Sequence, residues 1–127
     1  MAVTTYAASA PVAHAGPSDP WLEPPSPVIW TKADTIRALE HASPRVRCIV
    51  TSEVGDSGSD YDPYTVGDNG TSFGVSQLHW PGGLLRDYER WSDGASAYNP
   101  YRSVEYIEHI VSRGGASNWT AARLGWC

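Results

Sequence analysis

One segment restricts the possible folds more than any other: Ser43-Pro44-Arg45-Val46-Arg47-Cys48-Ile49-Val50-Thr51-Ser52-Glu53-Val54-Gly55. Ser43 suits a helix N-cap, Pro44 suits the first helical position, and Gly55 suits a stop. Val46, Ile49, Val50 and Glu53 recur at i, i+3, i+4 and i+7, the spacing of a helix face turned to a core. A carboxylate therefore closes a buried stripe, just before the chain opens into a Gly/Asp/Ser loop. Partial burial disfavours its charged form and raises its pKa. A carboxylic acid kept protonated near neutral pH is what a general acid requires. The same residues also admit a helix that frays at Ser52 and leaves Glu53 in water.

Other helices are marked as plainly. Asn99 is a cap and Pro100 a first helical residue; Val104, Ile107, Ile110 and Val111 form the stripe, and Gly114-Gly115 ends it. Thr31 predicts a cap for a helix to about His41, with Ile36 and Leu39 inward. Leu84 to Trp91, after Pro81-Gly82-Gly83, predicts a short helix, and Ser117 or Asn118 starts a last one that ends at Gly125. Residues 1–30 are rich in Ala, Pro and Ser and read as a leader or extended linker. Ala13-His14-Ala15 before Gly16 looks like a signal-peptidase site, but no basic stretch and apolar core precede it. Trp21 and Trp30 suggest that parts of this stretch pack on the domain at 31–127.

The 127 residues suffice for one domain with a modest core. No stretch approaches the length of a membrane span. A net charge of −5 without a basic run argues against nucleic acid as a partner. Six Trp and seven Tyr stand against one Phe. Rings with a polar tip suit the amphipathic faces of sugars, and they also staple small cores.

Beyond Glu53 comes Ser72-Phe73-Gly74-Val75-Ser76-Gln77-Leu78. A helical Glu, a Gly-rich turn and then Ser-Phe-Gly-x-x-Gln-Leu resemble the lysozyme-like transglycosylases, the branch of soluble lytic transglycosylases and goose-type lysozymes. The resemblance runs from about Arg47 to Leu78, with a weaker echo to Trp126-Cys127. It implies a mainly α, α+β lysozyme-like fold: a small helical catalytic domain over 31–127, with a short hairpin or loop after the Glu, between Gly55 and Gly70. It implies peptidoglycan glycan strands as substrate, cleaved at the β-1,4 bond between N-acetylmuramic acid and N-acetylglucosamine. Glu53 would be the acid. No cofactor and no metal are expected, and the protein is expected to act as a monomer.

Acetal cleavage needs a proton on the leaving oxygen and stabilisation of the oxocarbenium ion. Asp56, Asp60, Asp62 and Asp68 follow Glu53, with Asp62 and Asp68 carried forward as a possible second carboxylate. All four also fit a solvated turn, and their order does not match an EF-hand. Transglycosylase relatives need no second carboxylate, because the substrate's acetamido group assists. Ser72 can bond the Glu53 carboxyl or cap the next segment. Gly74 permits close approach of backbone to sugar or to the Glu helix. Gln77 matches the Gly-x-x-Gln position that lines the substrate groove, or is a surface polar residue. His79, Trp80, Tyr101 and Tyr106 can border the groove, and core packing competes for the tyrosines. The resemblance breaks at the family's Ala-Tyr-Asn motif. Asn99 in Ala97-Tyr98-Asn99 is a cap, and Trp119 to Gly125 does not carry the motif. The −1 subsite is therefore unassigned.

Cys48 and Cys127 admit a bridge or two free thiols. Secreted relatives carry a Cys just before the Glu and another near the end of the domain, so the resemblance favours the disulfide. A bridge implies an oxidising compartment: secreted, at the cell wall, or on a phage virion. Two further readings are a chitinolytic relative and a non-catalytic carbohydrate-binding or virion structural module.

Overall fold

The computed structural model describes residues 28–55 and 59–127. Residues 1–27 of the leader, with Ala13-His14-Ala15 and Trp21, and Asp56 lie outside them; Trp30 is described and packs on the domain as expected, its ring centroid 5.9 Å from that of Tyr101. The fold is α+β: five α-helices and a small antiparallel sheet among the described residues. In order they are α1 (Lys32–Glu40), α2 (Pro44–Val50), β1 (Val66–Gly67), β2 (Ser72–Phe73), β3 (Leu78–His79), α3 (Leu84–Trp91), α4 (Pro100–Ser112) and α5 (Thr120–Arg123). No helix among the described residues is long and apolar enough to cross a membrane.

The caps act as their residue types dictate. The Ser43 hydroxyl accepts from the Val46 N–H at 3.3 Å and donates to Glu108 at 3.0 Å, tying the start of α2 to α4. Asn99 Oδ1 accepts from the N–H groups of Tyr101 and Arg102 at 3.0 and 3.4 Å, so its side chain is occupied as a cap. Asp34 accepts from the Thr31 N–H at 2.8 Å and from the Tyr101 hydroxyl at 2.8 Å, which joins α1 to α4. α1 turns Thr35, Ala38 and Leu39 inward, whereas Ile36 lies on its exposed side, a correction to the inward placement expected of it.

Among the described residues two clusters make the core. Val46, Ile49, Val50 and Val54 meet Ala38, Leu39, Tyr101, Val104, Ile107 and Trp119 in the larger. Leu78, Tyr88, Ala95 and Tyr106 make the smaller, between the sheet, α3 and α4. α4 serves both. Val104 and Ile107 are fully inside, and Ile110 and Val111 sit at the margin.

The α2 helix departs from expectation at its end. It stops at Val50 and continues as a π-helical turn over Thr51–Gly55. The wider turn delays the stripe by a residue: Val54, not Glu53, takes the fully buried place. Gly55 leaves room for the Tyr61 ring, which a Cβ there would meet at 2.6 Å. The Tyr61 N–H and Ser59 hydroxyl then donate to the Val54 carbonyl at 3.0 and 2.6 Å, closing the helix end.

The hairpin begins later than expected, at Val66, and gains a third strand. Val66 pairs with Phe73 and Phe73 with Leu78; Gly67 pairs with Ser72 and Ser72 with His79. Asp68 and Asn69, at φ 51° and 57°, form a tight left-handed turn that suits the twist of a hairpin. The link from β2 to β3 turns at Gly74, φ +77°, where a Cβ would lie 2.1 Å from the Ala97 carbonyl oxygen. Gly74→Ala is expected to destabilise the fold by about 3 kcal/mol, combining the left-handed penalty with the clash. Urea unfolding checks this, and an unchanged midpoint would mean that the turn yields freely.

Candidate active site

Glu53 stands on the π-helical turn, half-buried, with Val54 beside it anchoring the turn in the core. Burial is the main cause that raises its pKa above the ordinary carboxyl value. The negative charge of Asp68 raises it further, and the Arg123 guanidinium opposes both. Three elements distant in sequence thus act on one carboxyl: the helix end, the β1–β2 turn and α5.

Asp68 is positioned by its turn and by a side-chain chain across the sheet. The Ser72 hydroxyl, 1% exposed, donates to Asp68 Oδ2 at 2.6 Å and lies 3.0 Å from His79 Nδ1. The Asp68 carboxylate and His79 Nδ1 are 3.9 Å apart. Antiparallel register puts Ser72 directly opposite His79, so the pairing follows from the strands themselves. Ser72 therefore commits its hydroxyl to Asp68 and His79, not to the Glu53 carboxyl or a helix cap.

The other aspartates separate by environment. Asp62 accepts from the Tyr64 N–H at 2.9 Å, an Asx turn of the kind its residue type favours. Asp60 pairs with Lys32 at 2.7 Å on the surface. Among the described aspartates only Asp68 bears on the charge state of Glu53.

The Gly74-Val75-Ser76-Gln77 segment is held from several sides. Gly74 abuts Ala97 rather than the Glu helix, which corrects the reason expected for it. Val75 is in the core. The Ser76 hydroxyl reaches the Ser103 carbonyl at 2.9 Å, and the Trp119 indole N–H donates to the Ser76 carbonyl at 2.7 Å. Gln77, at φ 48°, turns its amide back to the carbonyls of Gly74 and Thr65, at 2.9 and 3.3 Å. Its Oε1 occupies the space where a Cβ on Gly67 would be, at 2.2 Å. Gln77 thus braces the sheet's inner turn.

Tyr106 is fully buried, and its hydroxyl donates to Asp87 Oδ2 at 2.6 Å. It packs against Tyr88 and Trp91. A groove role for Tyr106 is therefore corrected: full burial, two aromatic neighbours and a carboxylate acceptor make it a core residue joining α3 to α4. Tyr101 is likewise buried. His79 is partly exposed, and the adjacent Trp80 is 61% exposed.

Arg123 is the site residue that sequence reasoning missed. The signal was its position four residues before Cys127. The Cys48–Cys127 disulfide is present, with 5.7 Å between the Cα atoms, and it carries residues 120–127 onto α2. Arg45 Nε donates to the Cys127 carbonyl at 3.1 Å, and Ser52, next to Glu53, lies 3.9 Å from the Cys127 sulfur.

The raised pKa has a consequence for stability. A carboxyl whose folded pKa exceeds its unfolded value favours folding by its protonated form. That contribution is complete below the unfolded value, near the ordinary 4.5, and is lost as pH rises through the folded pKa. Glu53→Gln is therefore expected to melt higher than wild type at pH 7 and level with it at pH 4 or below. Parallel thermal melts at the two pH values check this; equal shifts at both would remove the protonation argument.

No protein-family model, curated protein or solved structure matches this chain.

Proposed function

We propose that this domain is a lysozyme-like glycosidase that cleaves the glycan strands of peptidoglycan, with Glu53 as general acid. One observation carries the reading: a half-buried glutamic acid whose proton is favoured by burial and by the Asp68 charge. A helix whose terminal π-turn carries this residue, in a fold with a three-stranded antiparallel sheet, supports the lysozyme-like assignment. So does the sequence resemblance from Arg47 to Leu78.

In this reading Glu53 gives its proton to the glycosidic oxygen as the bond to the anomeric carbon breaks. Asp68 has two roles. In the free protein its charge adds to burial in favouring the protonated form of Glu53; with substrate bound, its carboxylate offers charge to the oxocarbenium ion. The acetamido group of the N-acetylated sugar can supply the internal nucleophile, as in the transglycosylase relatives. Once Glu53 has lost its proton, it is the base for the second half-reaction by microscopic reversibility. The disulfide is consistent with work in an oxidising compartment, outside the cytosol.

Purified peptidoglycan incubated with the protein tests the reading by the masses of the soluble products. Muropeptides with reducing ends identify a hydrolase, and products one water lighter identify a transglycosylase. Release from chitin but not from peptidoglycan would move the substrate to the chitinolytic alternative. Binding of glycan without release would favour a carbohydrate-binding or virion structural module.

A further inference from the structure

The Asp68–Ser72–His79 chain makes a demand that the proposed acid chemistry does not use. A serine hydroxyl has one proton to give, and Ser72 gives it to Asp68 at 2.6 Å. A carboxylate only accepts, so this direction is fixed by the partner. The Ser72 oxygen is buried and faces His79 Nδ1 at 3.0 Å. With the hydroxyl proton already placed, that contact is a hydrogen bond only if Nδ1 carries the proton. The neutral ring must then bear its lone pair on Nε2.

Among the described residues no hydrogen bond reaches His79 Nε2, and the side chain is 40% exposed. Gly82 lies along the same edge of the ring. A Cβ on Gly82 would approach His79 Cδ2, the carbon bonded to Nε2, to 3.0 Å. Absence of a side chain there keeps that edge accessible. Trp80, the next residue, offers a largely exposed indole. An acceptor nitrogen on an accessible ring edge suits a sugar, which presents O–H and N–H donors.

We infer that Ser72 and Asp68 are positioning residues that hold His79 in its Nδ1–H tautomer, so that Nε2 accepts a hydrogen bond from a hydroxyl or acetamido N–H of the bound glycan. The ligand class rests on the proposed function; the tautomer does not. The role differs from that of Glu53: His79 transfers no proton and acts on affinity.

Long-range proton–nitrogen NMR of the labelled protein reads the tautomer directly, with the His79 signals assigned by their loss in His79→Gln. The expected spectrum shows a protonated Nδ1 and a bare Nε2 in the neutral ring. Ser72→Ala removes the acceptor and is expected to release the ring to the Nε2–H form. A neutral His79 carrying its proton on Nε2 in the wild type overturns the inference, whatever the protein cleaves. The ligand half is read in the Glu53→Gln background, which prevents turnover, with the β-1,4-linked tetramer of N-acetylglucosamine as probe. Saturation is expected to shift Nε2 toward a hydrogen-bonded value. Adding Ser72→Ala should weaken the affinity by about fivefold, the effect of losing one ordinary hydrogen bond. Sugar that binds without moving Nε2 overturns the acceptor role. Sugar that does not bind at all removes the glycan reading and the ligand assignment together, and the tautomer is still decided by the spectrum.

Discussion

Glu53→Gln is expected to lower turnover on peptidoglycan by about a thousandfold, because a positioned general acid contributes roughly 10²–10⁴ in rate. That corresponds to about 4 kcal/mol of lost transition-state stabilisation. Gln has nearly the same shape as protonated Glu and can still donate a hydrogen bond, so glycan binding should be almost unchanged. It cannot release a proton as the glycosidic bond breaks. The fold is expected to persist, since an amide removes the cost of ionising a half-buried carboxyl that Asp68 also repels. Initial rates of muropeptide release, with circular dichroism as a check on folding, make the comparison. A variant that retains wild-type turnover would place the acid elsewhere.

Breaking the Cys48–Cys127 bridge is expected to have the largest effect on stability. The two residues are 79 apart in sequence, so the bridge closes a long loop in the unfolded chain. Loop-closure entropy for that length amounts to about 4 kcal/mol on the chain-entropy estimate. For a domain of this size the melting temperature would fall by on the order of 20 °C. The double substitution Cys48→Ala with Cys127→Ala, followed by urea and thermal unfolding, measures it. The loss has a second consequence. Residues 120–127 would be held on α2 by packing and by the Arg45–Cys127 hydrogen bond alone. Arg123 would then act less on Glu53, and the Glu53 pKa would rise further. A stability change below about 1 kcal/mol would show that the Trp119–Ser76 bond and core contacts suffice to seat this segment.

The helices were legible in the sequence where a cap and a stripe agreed. Thr31, Ser43 and Asn99 mark starts that the fold uses, and Leu84–Trp91 has the bounds its flanking glycines imply. The bridge between Cys48 and Cys127 followed from the family resemblance, not from spacing. Other features had no local signal. A π-helical turn differs from an α-helix by one residue in its hydrogen-bond spacing, and Val54 beside Glu53 fits either continuation. The choice was made by packing: Val54 is the better core residue, and the turn widened to admit it. The four aspartates were equivalent in composition. Only strand register, which sets Ser72 against His79, together with the left-handed turn at Asp68 and Asn69, separates Asp68 from the rest. Gln77 reads from the sequence as lining the groove or as a surface polar residue, and Gly74 as allowing close approach to sugar or to the Glu helix. Both instead satisfy the backbone of a tight turn, a demand visible only once Ala97 and Thr65 are seen to pass beside them. Tyr106 lies on the face of α4 that α3 covers, and sequence separation hid its acceptor, Asp87.

The most direct test is the pH dependence of muropeptide release from purified peptidoglycan, measured for wild type beside Glu53→Gln. Release by wild type is expected to persist above the ordinary carboxyl range and to fall away on the alkaline side as Glu53 ionises, with the variant near zero throughout. No release by wild type at any pH, or equal release by both proteins, would contradict the claim that Glu53 is the acid of a glycan-cleaving site.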